Sequence, residues 1–136
     1  MATKPAAHSY FYALGRRKRA TARVRLTVGK GVITINGKPA ETYISDSKYL
    51  LHELEKPFAV LEEMKKFDVS VMVKGGGASG QIIAIQLGIA KALVSLNEDL
   101  KATLKRAELL GRDPRERERK KFGLKGARKQ RQFTKR

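Results

Sequence analysis

The chain has 136 residues, a formal net charge of +17 at pH 7, 41% hydrophobic residues and no cysteine. The length fits one domain with an appendage, the apolar fraction is enough for one modest core, and the lack of cysteine excludes a disulfide framework, a zinc knuckle and a thiol nucleophile. A charge this large destabilises an isolated protein through self-repulsion, so we expect a polyanionic partner.

The composition divides the chain into three segments. Residues 1–9 are interpreted as a loose N-terminal arm, too short and too polar for a signal peptide. Residues 10–111 hold the apolar patterns and should form one globular domain. Residues 112–136 carry +9 of the net charge and should form an extended basic C-terminal tail. No apolar run approaches membrane-spanning length, so we expect a soluble, intracellular protein without a membrane partner.

Strand patterns dominate the first third of the domain. Residues 10–14 predict a short strand, and residues 15–19 predict a basic loop. From Ala22 to Val28 apolar and polar side chains alternate, which is typical of a half-buried strand. Turn-forming residues at 29–31 should lead into a returning strand at 32–35.

The middle of the domain predicts helices and one further strand. Asn36-Gly37 is a second turn signal. Residues 45–66 carry apolar side chains at three- and four-residue steps and predict a helical stretch, which Pro57 should break into two helices. Residues 69–74 alternate again and predict a strand, which Gly75-Gly76-Gly77 should end. Strands mixed with helices in this way indicate the α+β class, with helices packed on a mixed sheet.

The best-defined helix is predicted from about Ser79 to Leu96. Its core stripe is formed by Ile82, Ile85, Ile89, Leu93 and Leu96. Small residues recur at every fourth position on one ridge, namely Gly80, Ala84, Gly88 and Ala92. That ridge should let the helix approach a neighbouring element closely. Asn97 should cap a following helix that runs to about Leu109, and residues 113–116 have the sequence of one or two more helical turns.

The glycine-rich turn has several possible interpretations. The segment from Gly75 to Gly80 satisfies the dinucleotide pattern G-x-G-x-x-G, but that fold needs several alternating parallel strands and helices, and no strand is predicted after this helix. The same residues contain the G-x-x-G loop of KH domains, which should join two helices rather than follow a strand. A tight turn explains most of the motif. Its free backbone N–H groups also make Gly75, Gly76 and Gly77 candidate phosphate contacts.

Two groups of cations predict contacts to nucleic-acid phosphate. The first group has no acidic neighbour before Glu41, which favours phosphate contact over a solvated face. It consists of Arg16, Arg17, Lys18, Arg19, Arg23 and Arg25. The second group lies in the tail, whose last 18 residues hold nine cations and no carboxylate and should be disordered until RNA is bound. Its candidate RNA contacts are Arg115, Arg119, Lys120, Lys121, Lys125, Arg128, Lys129 and Arg131.

No catalytic, metal or cofactor site is predicted. His8 and His52 have no partner cluster in the sequence. The glutamates between residues 53 and 63 lie on a helix that is also rich in lysine, so paired surface charge explains them better than acid–base chemistry.

Several motifs in order resemble the small-subunit ribosomal protein nine family, bacterial type. The signature-like run starts at Gly75-Gly76-Gly77-Ala78-Ser79-Gly80-Gln81 and continues at Gly88-Ile89-Ala90-Lys91-Ala92-Leu93. Gly15-Arg16-Arg17-Lys18, Ala22-Arg23-Val24-Arg25 and Ile35-Asn36-Gly37 resemble the family's N-terminal hairpin. Asp113-Pro114-Arg115, the run from Glu118 to Arg128 and the ending Gln132-Phe133-Thr134-Lys135-Arg136 resemble its tail. The family often has Arg-His where this chain has Gln86-Leu87, which removes a cation from the helix.

The resemblance implies a structural protein in the head of the small ribosomal subunit, and not an enzyme. It would bind small-subunit ribosomal RNA beside neighbouring head proteins, on the cytoplasmic ribosome. It implies a fold like the second domain of small-subunit ribosomal protein five, with a left-handed βαβ crossover. It also implies that the tail reaches transfer RNA in the peptidyl site through Lys135 and Arg136. Two alternatives stay open: a free regulatory RNA-binding protein, and a nucleotide-binding enzyme that uses the glycine turn.

Overall fold

The computed structural model describes residues 10–44, 48–61, 66–111 and Phe122. Helices pack on one face of a mixed five-stranded sheet with strand order β1-β2-β5-β3-β4, which confirms the predicted α+β class. In chain order the elements are β1 (Phe11–Arg17), β2 (Ala20–Val28), β3 (Ile33–Ile35), β4 (Lys38–Pro39), α1 (Ala40–Ile44), α2 (Lys48–Leu61), β5 (Phe67–Lys74), α3 (Ala78–Leu96), a 3-10 turn (Glu98–Leu100) and α4 (Lys101–Arg106). The predicted N-terminal arm and basic tail lie outside the described residues, apart from Phe122.

The first hairpin is longer than the sequence pattern predicted. β1 continues through Arg17, so residues 15–17 are strand, and only Lys18 and Arg19 form the turn. The prediction of a basic loop at 15–19 is confirmed for residues 18 and 19 and was wrong for residues 15–17, because alternation is hard to see where charged residues are consecutive. The antiparallel register sets Gly15 opposite Ala22 and Arg17 opposite Ala20.

The prediction that residues 32–35 form a returning strand paired with β2 was also wrong. β5 lies between β2 and β3, antiparallel to the first and parallel to the second. Asn36 extends the β3–β5 pairing, since its side chain accepts from the Val73 N–H at 2.8 Å and donates to the Val73 carbonyl at 3.1 Å. The predicted Asn36-Gly37 turn is confirmed, and both residues have the positive φ of a tight hairpin turn onto β4. The handedness of the crossover from β3 to β5 stays a prediction.

The carboxylate of Asp68 on β5 holds the loop between β2 and β3. Its Oδ1 accepts from the backbone N–H groups of Lys30, Gly31 and Val32 at 2.9, 3.1 and 3.0 Å. These donors, with Val32 contributing most, lower the pKa of Asp68 below its ordinary value, although partial burial acts in the opposite direction. The ionised side chain of Asp68 therefore directs this loop toward β3, from its position on β5 between β2 and β3.

Asp68→Asn should lower the free energy of unfolding at neutral pH, by about 1 kcal/mol, because a neutral amide is a weaker acceptor than a carboxylate. A carboxylate whose pKa is lowered on folding stabilises the native state above its unfolded-state pKa and loses that contribution as pH falls through the folded pKa. The gap between wild type and variant should therefore close only below about pH 3.8. Urea unfolding across a pH series measures the difference in free energy of unfolding between wild type and variant. A difference that is the same at every pH would contradict the role of the charge.

Pro57 does not break the second helix, contrary to the prediction. α2 runs without interruption from Lys48 to Leu61, and Pro57 is buried inside it. Proline lacks the N–H that would bond the carbonyl four residues earlier, which is that of Glu53. Gln86 of α3 supplies the missing donor, because its Nε2 lies 2.7 Å from the Glu53 carbonyl oxygen. A side chain of the neighbouring helix thus replaces the lost helical hydrogen bond.

The long helix α3 lies against β1 and β2 through its ridge of small residues, as predicted. Gly80, Ala84, Gly88 and Ala92 are all buried. A Cβ on Gly15 of β1 would lie only 1.8 Å from the Ala84 carbonyl oxygen, and one on Gly88 only 2.5 Å from Val24 Cγ2. Two glycines, one on each element, therefore set the distance between helix and sheet. The predicted stripe is confirmed, with Leu96 half-buried and the other four buried.

By length and composition alone, the 19-residue α3 could cross a membrane, although no such run was predicted from the sequence. Most of the helix is buried between the sheet and α2, which is typical of a core helix. After it, Asn97 caps the 3-10 turn by accepting from the Asp99 N–H at 3.0 Å. The following α-helix ends at Arg106, earlier than the predicted Leu109.

Candidate nucleic-acid interface

The sheet has one face covered by helices and one open face. The core side chains of β1, β2 and β5 point toward α3 and include Ala13, Val24 and Val71. The residues between them point the other way, and we call this surface the open face. It carries Tyr10, Tyr12, Leu14, Arg16, Thr21, Arg23, Arg25, Thr27, Asp68, Ser70, Met72 and Lys74.

Cations alternate with aromatic and apolar groups across the open face. Arg23 lies opposite Leu14 on one side and Met72 on the other, and Arg25 lies opposite Tyr12 and Ser70. The tyrosine and methionine are about half exposed, at 50% and 57%. Such a surface can bind phosphate through its guanidinium groups and stack bases on its rings, the combination found in single-stranded nucleic-acid sites.

The arginines of this face are available for a ligand. Arg16, Arg23 and Arg25 are exposed, and within the described part of the chain none of them forms an ion pair. Arg25 lies over the ring of Tyr10, with 5.1 Å from its Cζ to the ring centroid. Of the predicted cations, Arg17 differs, because it is half-buried and points toward the helical side of the hairpin. The alternation seen in the sequence correctly placed Arg23 and Arg25 on the polar face.

One end of the sheet brings the basic turn and the glycine turn together. Lys18 and Arg19 are exposed in the β1–β2 turn. Gly75 and Gly76 have positive φ and pack on that turn, so that a Cβ on Gly75 would lie 2.5 Å from the Arg19 carbonyl oxygen. The tight turn therefore accounts for both glycines. Gly77 is the N-cap residue of α3 and has no side chain to cap it, which leaves backbone N–H groups at the helix start beside Lys18 and Arg19.

This arrangement argues against the dinucleotide and KH interpretations of the motif. Among the described strands, β3 and β5 form the one parallel pair, whereas a dinucleotide fold places its glycine loop in a sheet of several parallel strands. The turn joins β5 to α3, whereas a KH loop joins two helices.

A depression of about 280 Å³ lies between β1, α3 and residues 108–111. It is lined by Arg16, Arg17, Ile83, Gln86, Leu87, Glu108, Leu109 and Gly111. The resemblance associated positions 86 and 87 with a cation and a possible RNA contact in relatives. In this chain both residues are buried, at 8% and 5% exposure, and Gln86 is bonded to α2. This chain therefore uses these two positions for internal packing.

The remaining predicted site residues belong to the tail and lie outside the described residues. They are Arg115, Arg119, Lys120, Lys121, Lys125, Arg128, Lys129, Arg131, Lys135 and Arg136. Sequence reasoning also missed part of the open face, namely Tyr10, Tyr12, Ser70, Met72 and Lys74. The alternation of residues 10–16 was the signal for the two tyrosines, because it continues through Arg16 once β1 is extended.

Comparison with known proteins gives consistent matches over nearly the whole chain. A family model described as "Ribosomal protein S9/S16" matches residues 15–136. The "Small ribosomal subunit protein uS9" of Chlorobium luteolum is 52% identical over 123 residues, which are 90% of this chain and 95% of the relative. The protein of the same name from Mycoplasmoides gallisepticum is 49% identical over 126 residues, covering 93% of this chain and 96% of the relative.

Proposed function

The chain belongs to the ribosomal protein S9/S16 family, a family of structural ribosomal proteins and not of enzymes, and from this premise we propose that it binds small-subunit ribosomal RNA through the open face and the basic tail. Its site of action is the head of the small subunit on the cytoplasmic ribosome, beside other head proteins. The observation that carries the proposal is the open face itself, where exposed arginines alternate with tyrosine and methionine side chains and have no acidic partner among the described residues.

Binding at this face is mainly electrostatic. Each arginine that reaches a phosphate releases condensed counterions, and the released ions supply much of the affinity. The sheet register fixes the spacing of the backbone positions of Arg16, Arg23 and Arg25, so only their side chains have to become ordered on binding. Lys18 and Arg19, with the start of α3 next to them, extend the positive surface to the end of the sheet.

Replacing Arg16 and Arg23 together by glutamine should weaken binding to small-subunit ribosomal RNA and make the slope of log affinity against log salt shallower by about one unit per lost phosphate contact. The matched control is Lys105→Gln with Arg106→Gln, because both residues are exposed on α4, away from the open face. Filter binding across a salt series measures both variants. Equal slopes for the open-face variant and wild type would contradict the proposal.

We propose further that the tail ends at transfer RNA in the peptidyl site. The support is the family membership together with the charge, since +9 is carried by residues 112–136 and the last two residues are both cations. The domain and the first part of the tail hold enough cations for attachment to ribosomal RNA without Lys135 and Arg136.

Deletion of Lys135 and Arg136 should leave the amount of this protein per small subunit unchanged. It should lower the affinity of those subunits for peptidyl-site transfer RNA by about 1–3 kcal/mol at low salt, if both cations make charge-assisted phosphate contacts. Quantitative mass spectrometry of purified subunits and transfer-RNA binding in a salt series provide the two measurements. Truncated subunits that bind transfer RNA as tightly as intact ones would leave the tail with an anchoring role alone.

A further inference from the structure

A concave site on the open face lies at the opposite end of β2 from the basic turn. This depression has a volume of about 260 Å³. It is lined by Tyr10, Arg25, Thr27, Val32, Thr34, Asp68, Val69 and Ser70. Four strands or strand ends contribute to it, so its shape follows from the sheet register and not from one loop. It is too small for a duplex and has room for one planar ring.

The rim and the walls combine stacking and hydrogen-bonding groups. Tyr10 is 48% exposed, and the guanidinium of Arg25 on its ring holds it at the edge of the depression. The walls offer the hydroxyl groups of Thr34 and Ser70, and Val32 adds an apolar surface. An aromatic ring, an arginine and short hydroxyl side chains around one small cavity suit a nucleobase better than an extended sugar–phosphate chain.

Asp68 makes this site different from the rest of the open face. Its carboxylate is kept ionised by three backbone N–H donors. An anion at this position repels phosphate, while carboxylate and hydroxyl oxygens accept hydrogen bonds from the amino and imino groups of a base. The phosphates are therefore expected along Arg16 and Arg23, and the depression at the other end of the face requires a different part of the RNA.

We propose that this depression binds a single unpaired nucleobase of the ribosomal RNA, stacked on Tyr10 with its amino or imino edge directed toward Asp68. The base must be unpaired because a paired base is stacked within its helix and cannot place its ring on Tyr10 inside the depression. This inference rests on the proposed function, in which the open face binds small-subunit ribosomal RNA.

The test compares Tyr10→Leu with Tyr10→Phe in binding to small-subunit ribosomal RNA. Tyr10→Leu should bind about tenfold more weakly with an unchanged salt slope, because stacking is lost and no phosphate contact is removed. Tyr10→Phe should bind like wild type, since it keeps the ring. Tyr49→Leu is the control: this tyrosine is 69% exposed but lies on α2, on the helical side of the sheet.

A second measurement asks directly whether a base lies at this site. Irradiating the complex made with 4-thiouridine-containing ribosomal RNA should give a cross-linked peptide that contains Tyr10. Wild-type affinity for Tyr10→Leu, or its weakening with a shallower salt slope, would overturn the base site. If the open-face arginines still change the salt slope, the proposed function survives that result. An unchanged slope for Arg16→Gln with Arg23→Gln would instead remove the proposed function.

Discussion

Gly15→Ala should unfold the domain or destabilise it by about 3 kcal/mol or more, because overpacking that the backbone must absorb exceeds the usual cost of an extra methylene. The added Cβ would lie 1.8 Å from the Ala84 carbonyl oxygen and 2.6 Å from the Gly88 nitrogen, and both are backbone atoms of α3. No rotamer change can relieve that contact, so helix and sheet would have to separate. Total stability of a domain is only about 5–15 kcal/mol, which makes such a loss decisive.

Substitutions at two other glycines provide comparisons for this prediction. Gly111→Ala is the matched control, because no atom of the described residues lies within 4 Å of its added Cβ. In Gly88→Leu the new side chain would overlap with Val24, since even an added Cβ would lie only 2.5 Å from Val24 Cγ2. This overpacking should lower the free energy of unfolding by about 1–3 kcal/mol or more. Urea or thermal unfolding ranks the three variants. Gly15→Ala with the stability of Gly111→Ala would show that α3 does not lie as close to β1 as described.

The second large effect is expected at Gln86. Gln86→Leu replaces the amide by an apolar side chain of similar size and leaves the Glu53 carbonyl without a donor, because Pro57 has no N–H to offer. A shielded carbonyl without a partner costs about 1–3 kcal/mol. Introducing Pro57→Ala restores the N–H within α2, so the same Gln86→Leu substitution should then cost less.

A double-mutant cycle separates this coupling from ordinary packing. The difference between the two Gln86→Leu effects should be about 1–2 kcal/mol, within the range seen for residues that share one hydrogen-bond network. Loss of cavity packing at the buried Pro57 is common to both sides of the cycle and cancels. A coupling of zero would show that the Glu53 carbonyl does not depend on Gln86 for its missing donor, and would leave Gln86 its packing and its 3.1 Å hydrogen bond to Glu53 Oε2.

Local patterns predicted the elements in which apolar or small residues recur at a regular spacing. The alternation of Val69, Val71 and Val73 gave β5, and the four-residue spacing of small residues gave α3 and its close contact with the sheet. The pairing of β3 could not be predicted in this way, because its partner β5 follows only after two helices. The side chain that directs the loop before β3 is Asp68, which also lies on β5. The continuity of α2 depended in the same way on Gln86, a residue far away in the sequence.

The candidate site was predicted to a similar extent. Arg23 and Arg25 were placed correctly because β2 alternates within itself. Arg16 was predicted as an RNA contact but was assigned to a loop, since consecutive charges show no period. The contact between Arg25 and Tyr10 could not be predicted without the β1–β2 register. Asp68 gave no sign in the sequence that it would join the same face, because a single carboxylate has no pattern until its strand is placed.

The central position of β5 determines the order in which the chain can fold during its own synthesis. The first hairpin emerges early, but β2 and β3 have no common neighbour until residues 67–74 have been made. Both strands therefore keep open hydrogen-bonding edges, which are prone to pair wrongly with other chains. The apolar side of the hairpin stays uncovered longer still, until α3 is complete at Leu96. Non-local pairing of this kind slows folding. The strongly basic residues 112–136 are synthesised only after every residue of the domain that carries them.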